Sequence, residues 1–194
     1  MHDSLHGCCN KRGTGTVIIK AKLAQQLSYL ELRPFYGVLL DLWKAFDAMD
    51  QKRCIMLLEG YGAVPRMIRL ICGYWHDAIM VYRAAGNYGT AFRAGRGMTQ
   101  GSPLSAKPFN ILVDAVVWEW IRQLRADGDH KEEKLAELMA TFFAIFYVDN
   151  AYLASRDAGF LQHALTLLVN LFERIGLQTN TLKMQTMICT PGWD

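Results

Sequence analysis

The sequence lacks any apolar run of the roughly 20 residues that a membrane-spanning helix needs, and it has no N-terminal secretory pattern. Charged residues account for only 20% of its 194 residues, whereas hydrophobic residues account for 52%. That balance argues against intrinsic disorder and for a packed core. A chain of this length suits one domain, or one domain with a minor lobe. We therefore expect a soluble, intracellular protein, nuclear or cytoplasmic depending on its host.

Cysteine is scarce, and its spacing forms no paired metal-ligand motif. There are five cysteines, and an odd number without such pairs suits a reducing compartment. The nearest approach to a zinc site is the group His2, His6, Cys8 and Cys9 near the start. Two adjacent cysteines without a second cluster argue against zinc binding there.

The net charge of +3 is small and lies at the front of the chain. Residues 1–33 hold five basic and two acidic residues, and the remaining 161 residues are balanced. A basic leading part is compatible with a phosphate-bearing partner, but a surplus of this size is weak evidence for one.

Hydrophobic periodicity predicts a series of helices and short strands. The sequence contains no internal repeats and no low-complexity tracts. The predicted helices cover 14–32, 51–59, 65–76, 131–139, 158–175 and a long segment that starts at 103. The first helix is indicated by apolar residues at helical spacing, namely Val17, Ile18, Leu23, Leu27 and Leu30. Asp50 and Ser102 are predicted to cap the helices that follow them. The runs 78–84 and 88–93 are typical of a hairpin turning at Gly86-Asn87.

Two strand-like runs end in a carboxylate. The run 141–155, TFFAIFYVDNAYLAS, has Asp149 and Asn150 between two apolar halves, which indicates a hairpin with these residues at its tip. About a hundred residues earlier, YGVLLD leads to Asp41. Each aspartate can be explained by a structural role alone. Asp149 could lie in a surface β-turn, and Asp41 could cap the end of its strand. Two strands that each deliver an aspartate can also place both side chains around one metal site.

Four stretches in a fixed order resemble a known family. They are FYGVLLDLWKAFD, GRGMTQGSPLSAKPFN, FYVDN and GLQTNTLK, and RGTGT precedes them. Together they resemble the palm of reverse transcriptases of the non-LTR retrotransposon and group II intron type, over about residues 7–190. The resemblance implies an α+β polymerase palm, a small antiparallel sheet backed by helices. Residues 1–33 would be a leading helix and partial fingers, and residues 34–194 the palm.

The resemblance also implies an RNA-directed DNA polymerase that adds dNTPs to a DNA or RNA primer on an RNA template. Two Mg²⁺ ions, or Mn²⁺ as the alternative, would assist attack of the primer 3′-hydroxyl and departure of pyrophosphate. Hard cations prefer carboxylate oxygens, and the family pattern assigns this role to Asp41 and Asp149. Asn150 is a weaker third ligand, because its amide oxygen carries no charge.

Further site residues follow from the same resemblance. Phe46 would lie under the sugar and exclude a 2′-hydroxyl, although an ordinary core phenylalanine is the alternative. Gln100 and Gly101 would lie beside the incoming nucleotide and the template base. Arg96 would contact phosphate, and Lys183 would protonate the leaving pyrophosphate unless it is an ordinary surface lysine.

The sequence departs from the family pattern at several points. Asn150 replaces a second aspartate, Pro108 interrupts a helix at a usual leucine position, and Cys8-Cys9 replaces a Phe-Arg-like pair. The basic fingers strands and the thumb are not recognisable, so we expect a palm-centred piece of a longer polyprotein or element protein. Two alternatives stay open. One is an inactive retroelement remnant with weak nucleic-acid binding. The other is an RNA-dependent RNA polymerase palm, which Phe46 and the GRGMTQGSPLS pattern disfavour.

Overall fold

The computed structural model describes residues 1–7, 9, 12–126 and 132–190. The helices in these ranges are α1 (Thr14–Leu30), α2 (Ala45–Ala48), α3 (Gln51–Gly60), α4 (Pro65–Asp77), α5 (Pro103–Ala126), α6 (Glu132–Thr141) and α7 (Ala158–Arg174). The strands are β1 (Phe35–Trp43), β2 (Ile79–Met80), β3 (Arg83–Ala84), β4 (Asn87–Tyr88), β5 (Phe92–Arg93), β6 (Phe143–Tyr147), β7 (Asn150–Ser155), β8 (Gln178–Thr179) and β9 (Gln185–Cys189).

Strand β1 is the centre of the main sheet. The hairpin β6–β7 pairs with one of its edges, and both β8 and β9 pair with the other. Every named pair is antiparallel. The expected small antiparallel sheet backed by helices is therefore confirmed.

The two faces of β1 differ because side chains alternate along a strand. Val38, Leu40 and Leu42 are buried against the core. Leu39 and Trp43, on the opposite face, are about half exposed. Asp41 lies on this second, open face, so the sheet separates the core from the candidate site.

Helices α5 and α7 fill the core side of the sheet. The indole of Trp120 on α5 is fully buried and donates a hydrogen bond from Nε1 to the carbonyl of Ala164 on α7, at 2.7 Å. Both predicted caps are present. The carboxylate of Asp50 accepts from the first backbone N–H groups of α3, and the hydroxyl of Ser102 accepts from the N–H of Leu104 at 3.2 Å.

The N-terminal segment lengthens the sheet beyond β6. Leu5 forms a parallel bridge with Phe146. The N–H of His6 donates to the carbonyl of Phe146, and the N–H of Phe146 donates to the carbonyl of Ser4, both at 2.8 Å. This parallel edge was not predicted, because the segment has no strand-like alternation.

Helix α1 exists as predicted, but it buries a different side. Ile18, Leu23 and Leu30 are exposed, and the inward positions are the small residues Ala24 and Ser28. Small side chains allow the helix to lie close to the end of the sheet, where Ala24 meets Phe35 and Cys189. Apolar spacing gave the helix correctly and did not identify its packed face.

Both predicted hairpins form, with their turns one residue earlier than expected. The main turn consists of Val148 and Asp149, and Asn150 is already paired in β7. The small hairpin turns at Ala85 and Gly86, which both have positive φ. In each case strand pairing, which sequence composition does not report, decided the register.

The sequence also made predictions about Pro108 in α5 and about the start of α6. Pro108 does lie inside α5, and its carbonyl accepts a contact from the Cys54 thiol at 3.5 Å. The predicted start of α6 at residue 131, and the polar loop before it, lie outside the described residues.

No helix in the described ranges is long and apolar enough to cross a bilayer.

Leu153 provides a test of the central strand pairing. It lies in β7 with 0% exposure, so Leu153→Ala should lower the free energy of unfolding by about 2–5 kcal/mol. Leu182 is 93% exposed, and Leu182→Ala should change it by less than about 0.5 kcal/mol. Urea denaturation followed by circular dichroism measures both, and equal effects would contradict the assignment of β7 to the core.

Candidate active site

The Asp41 carboxylate is held on the open face of β1 by the turn between β8 and β9. Its side chain is 17% exposed. Asn180 donates from Nδ2 to Asp41 Oδ2 at 3.1 Å, and its backbone N–H donates to the Asp41 carbonyl at 2.8 Å. The Lys183 ammonium lies 3.4 Å from the same Oδ2 atom. The two side-chain contacts restrict the orientation of the carboxylate, and the ammonium offsets its charge.

Asp149 lies in the β6–β7 turn, next to Asp41 in space. The N–H of Leu42 donates to the Asp149 carbonyl at 2.9 Å, which fixes the turn against β1. Asp41 and Asn150 are direct cross-strand partners, so their side chains share one face of the sheet. The Asn150 amide donates to Asp149 Oδ1 at 3.1 Å. The fold thus brings two carboxylates and one side-chain amide to the same end of the sheet.

This donor set fits a hard divalent cation. Asp41 and Asp149 offer carboxylate oxygens, and the amide oxygen of Asn150 remains available because the contact to Asp149 uses its nitrogen. The Lys183 ammonium lies beside Asp41, and the side-chain amides of Asn180 and Asn150 donate to Asp41 and Asp149 respectively. Within the described ranges no three His, Cys, Asp or Glu side chains come together in a metal-binding geometry.

The histidines near the start of the chain have other partners than a metal. His2 Nδ1 lies 2.8 Å from the Ser4 hydroxyl. His6 Nδ1 lies 3.2 Å from the Thr16 hydroxyl, and its Nε2 lies 3.2 Å from the Lys20 ammonium. Burial is the main cause that lowers the pKa of both imidazoles. Cys8 lies outside the described residues.

The glycine-rich loop is docked on the segment that carries Phe46. The N–H of Gly97 donates to the Met49 carbonyl at 2.9 Å, and the N–H of Met98 donates to the Phe46 carbonyl at 2.8 Å. Gly97 has φ +84°, and a Cβ there would lie 2.6 Å from the Asp47 carbonyl oxygen. Only glycine allows this approach, so the loop has a structural reason for its composition.

Phe46, Gln100 and Gly101 lie on this docked unit. The Phe46 ring stacks on Phe109 of α5, with centroids 4.8 Å apart and planes at 23°, and the side chain is half-buried. Gln100 and Gly101 are exposed, and Gly101 has φ +83°. The stacking suits a core role for Phe46, and the half-exposed position suits a contact with a nucleotide.

Arg96 contacts backbone groups on the far side of the glycine-rich loop. Its Nε donates to the Ala48 carbonyl at 2.7 Å, and its guanidinium lies against Gly176. It lines an open cleft of about 560 Å³ together with Arg53 and Arg174. Within the described part of the chain, no hydrogen bond joins Arg96 to either carboxylate.

Asn180 is a site residue that the sequence did not identify. It lies three positions before Lys183 in GLQTNTLK, and the Lys183 N–H donates to its carbonyl at 3.1 Å. The tight turn brings both side chains to Asp41. The local signal was the polar run 178–181 between Leu177 and Leu182, but the partner of Asn180 is 139 positions away in the sequence.

Comparisons with known proteins agree with this architecture. The family model described as Reverse transcriptase (RNA-dependent DNA polymerase) matches residues 10–192. No curated protein matches the chain. Among solved structures, apo telomerase of Candida tropicalis truncated from its C-terminal domain is 16% identical, with a TM-score of 0.70. That match covers 98% of this chain and 37% of the telomerase chain.

Two further structures share the fold. Telomerase of Candida albicans, in complex with the TWJ fragment of telomeric RNA, is 15% identical with a TM-score of 0.69, covering 95% of this chain and 31% of that one. The RNA-dependent RNA polymerase of bacteriophage phi12 is 13% identical with a TM-score of 0.52, covering 83% and 26%. The chain spans about a third of the length of the telomerase chains it matches. At these identities the likeness concerns the fold alone.

Gly97 and Gly95 form a matched pair for testing how the loop is docked. Gly97→Ala combines a left-handed backbone with overlap on Asp47, so we expect it to lower the free energy of unfolding by at least about 2 kcal/mol. A Cβ at Gly95 meets nothing within 4 Å, and Gly95→Ala should stay within about 0.5 kcal/mol of the parent. Chemical denaturation compares them, and an unaffected Gly97→Ala would show that the loop is not held as described.

Proposed function

The chain belongs to the reverse transcriptase family, and from that premise we propose that it is an RNA-directed DNA polymerase domain, adding dNTPs to a DNA or RNA primer on an RNA template. The observation that supports this most directly is the pairing of Asp41 with Asn150 across β1 and β7. This pairing sets the turn that contains Asp149 at the end of the sheet where Asp41 lies, and we propose that a nucleic acid approaches from that side.

The divalent ions of this proposal are two Mg²⁺, with Mn²⁺ as the alternative, held by Asp41 and Asp149 and more weakly by Asn150. When bound, such ions lower the pKa of an attacking hydroxyl and stabilise a leaving pyrophosphate. Asn180 would contact Asp41 and not the ions. Its Nδ2 donates to the Asp41 carboxylate and its backbone N–H to the Asp41 carbonyl, so it would hold both the side chain and the strand in position.

Lys183 has two roles in the proposed reaction. Its ammonium pairs with Asp41 Oδ2 at 3.4 Å, which neutralises the carboxylate in the absence of a cation. The side chain is 68% exposed on a flexible stem, so it can leave Asp41 and turn towards a leaving pyrophosphate. An ammonium there holds a proton that it can donate as a general acid.

Nucleotide recognition is assigned to the docked loop. Phe46 would contact the sugar, and Gln100 and Gly101 would contact the nucleotide and the template base. Arg96 would contribute positive charge from the rear of the loop, since its guanidinium is tied to Ala48 and Gly176.

The division into a leading part, 1–33, and a palm, 34–194, is part of the same proposal. The leading part packs on the palm sheet through Leu5 and Phe146. Because the matched telomerase chains are about three times longer, a longer parent protein would supply the remaining contacts to primer and template.

Primer extension tests the polymerase assignment. With an RNA template, a DNA primer, dNTPs and Mg²⁺ or Mn²⁺, we expect extension that falls at least about 100-fold in Asp149→Ala and in Asp41→Asn, because each loses a charged ligand. Asp77→Ala, at an exposed carboxylate on α4, should match the parent. Extension that survives in Asp149→Ala would exclude the proposed site.

Asn150 favours a second candidate, a remnant that keeps the fold and binds nucleic acid without catalysis. Asn150→Asp tests it by restoring a third carboxylate opposite Asp41. In EDTA the added like charge should lower Tm, and Mg²⁺ should then raise Tm more than it does for the parent. Extension should increase by about tenfold. No Mg²⁺ effect on Tm in either protein would favour the remnant.

Phe46 separates a DNA polymerase from an RNA polymerase palm. If its ring limits the space beside the sugar, Phe46→Ala should raise incorporation of ribonucleotides relative to deoxynucleotides by at least about tenfold. Competition between radiolabelled dNTP and NTP measures this ratio. If only the free energy of unfolding drops while the ratio stays constant, Phe46 is a core residue that packs on Phe109.

A further inference from the structure

The turn that carries Asp149 rests on the N-terminal segment. After Ser4 and His6 have paired with Phe146, the next residue, Gly7, lies directly against Val148. A Cβ on Gly7 would lie 2.6 Å from both the Val148 amide nitrogen and its Cγ2 atom. The two backbones therefore approach as closely as a glycine permits.

Val148 is in a conformation that needs such support. Its φ is +57°, the left-handed region that β-branched residues avoid. A strained residue of this kind persists only when its surroundings hold it. Because Asp149 follows immediately, the backbone of Val148 determines the direction in which the carboxylate leaves the turn.

Asn110 of α5 holds the support in place. It is 1% exposed, and its Nδ2 donates to the Gly7 carbonyl at 2.5 Å. The preceding residue, Phe109, stacks on Phe46. One turn of α5 thus contacts both the Phe46 ring and, through Gly7, the turn that carries Asp149.

We propose that Asn110 and Gly7 are positioning residues for Asp149. Asn110 fixes Gly7, and Gly7 confines Val148 to the left-handed conformation that directs the carboxylate towards Asp41. The catalytic consequence rests on the proposed polymerase function. The effect on the position of Asp149 does not rest on that function, because it concerns only the backbone of the turn.

Hydrogen–deuterium exchange in metal-free buffer tests the positional part. In Asn110→Ala, the amides of 146–150 should exchange at least about tenfold faster, because a buried hydrogen bond behind the turn is lost. Gly7→Ala should accelerate the same amides by displacing Val148. Amides of helix α7, whose hydrogen bond to α5 comes from Trp120, should be unchanged in both variants.

Matched controls separate positioning from a general loss of stability. Asn170→Ala removes an exposed asparagine on α7, and Gly13→Ala adds a Cβ that meets nothing within 4 Å. Both should leave exchange unaltered. Val113→Ala shortens a buried side chain one turn along α5 and should accelerate exchange across the core without singling out 146–150. Turn amides unchanged in Asn110→Ala, or accelerated equally in Val113→Ala, would overturn the assignment.

Primer extension tests the catalytic part. Asn110→Ala and Gly7→Ala should lower kcat about tenfold and raise the Mg²⁺ concentration for half-maximal rate, with the KM for dNTP unchanged. A changed KM with unchanged kcat would contradict the role. If the parent protein extends no primer, the polymerase function fails, and the exchange experiment alone decides the positional role.

Discussion

The antiparallel pairing of β1 with β7 is the constraint on which the rest of the structure depends. The register that sets Asp41 opposite Asn150 also sets Val38 opposite Leu153, a fully buried residue. A slip of one residue would turn the apolar side chains of β7 to the open face and its polar ones into the core. Burial of the core therefore specifies which residue of β7 lies opposite Asp41.

Helix α5 is the second determinant, because it supports the open face from behind. Phe109 packs under Phe46, to whose carbonyl the glycine-rich loop is tied, and Asn110 reaches the segment beneath the hairpin turn. The glycine-rich loop and the Asp149 turn are thus both positioned by one helix. A shift of α5 would move both together, which preserves their relative placement.

Protein groups partly offset the negative charge of the two carboxylates. Asp41 faces an ammonium and an amide, and Asp149 faces the Asn150 amide. Where a third carboxylate would add repulsion between like charges, Asn150 provides an N–H donor instead. The replacement favours the metal-free fold and reduces the negative charge available to hold cations. Fold stability and cation affinity are opposed at this position.

The sequence by itself determined the longer helices, the strand that ends near Asp41, the two hairpins, the helix caps at Asp50 and Ser102 and the family to which the ordered motifs point, since these follow from local periodicity and short spacing. Only the tertiary structure decided that α1 buries Ala24 while Leu23 is exposed, that the main turn falls at Val148, and that Asn180 contacts Asp41. Those features arise from contacts between residues up to more than a hundred positions apart. Such contacts depend on strand register and on space between packed backbones, and neither leaves a pattern in adjacent residues.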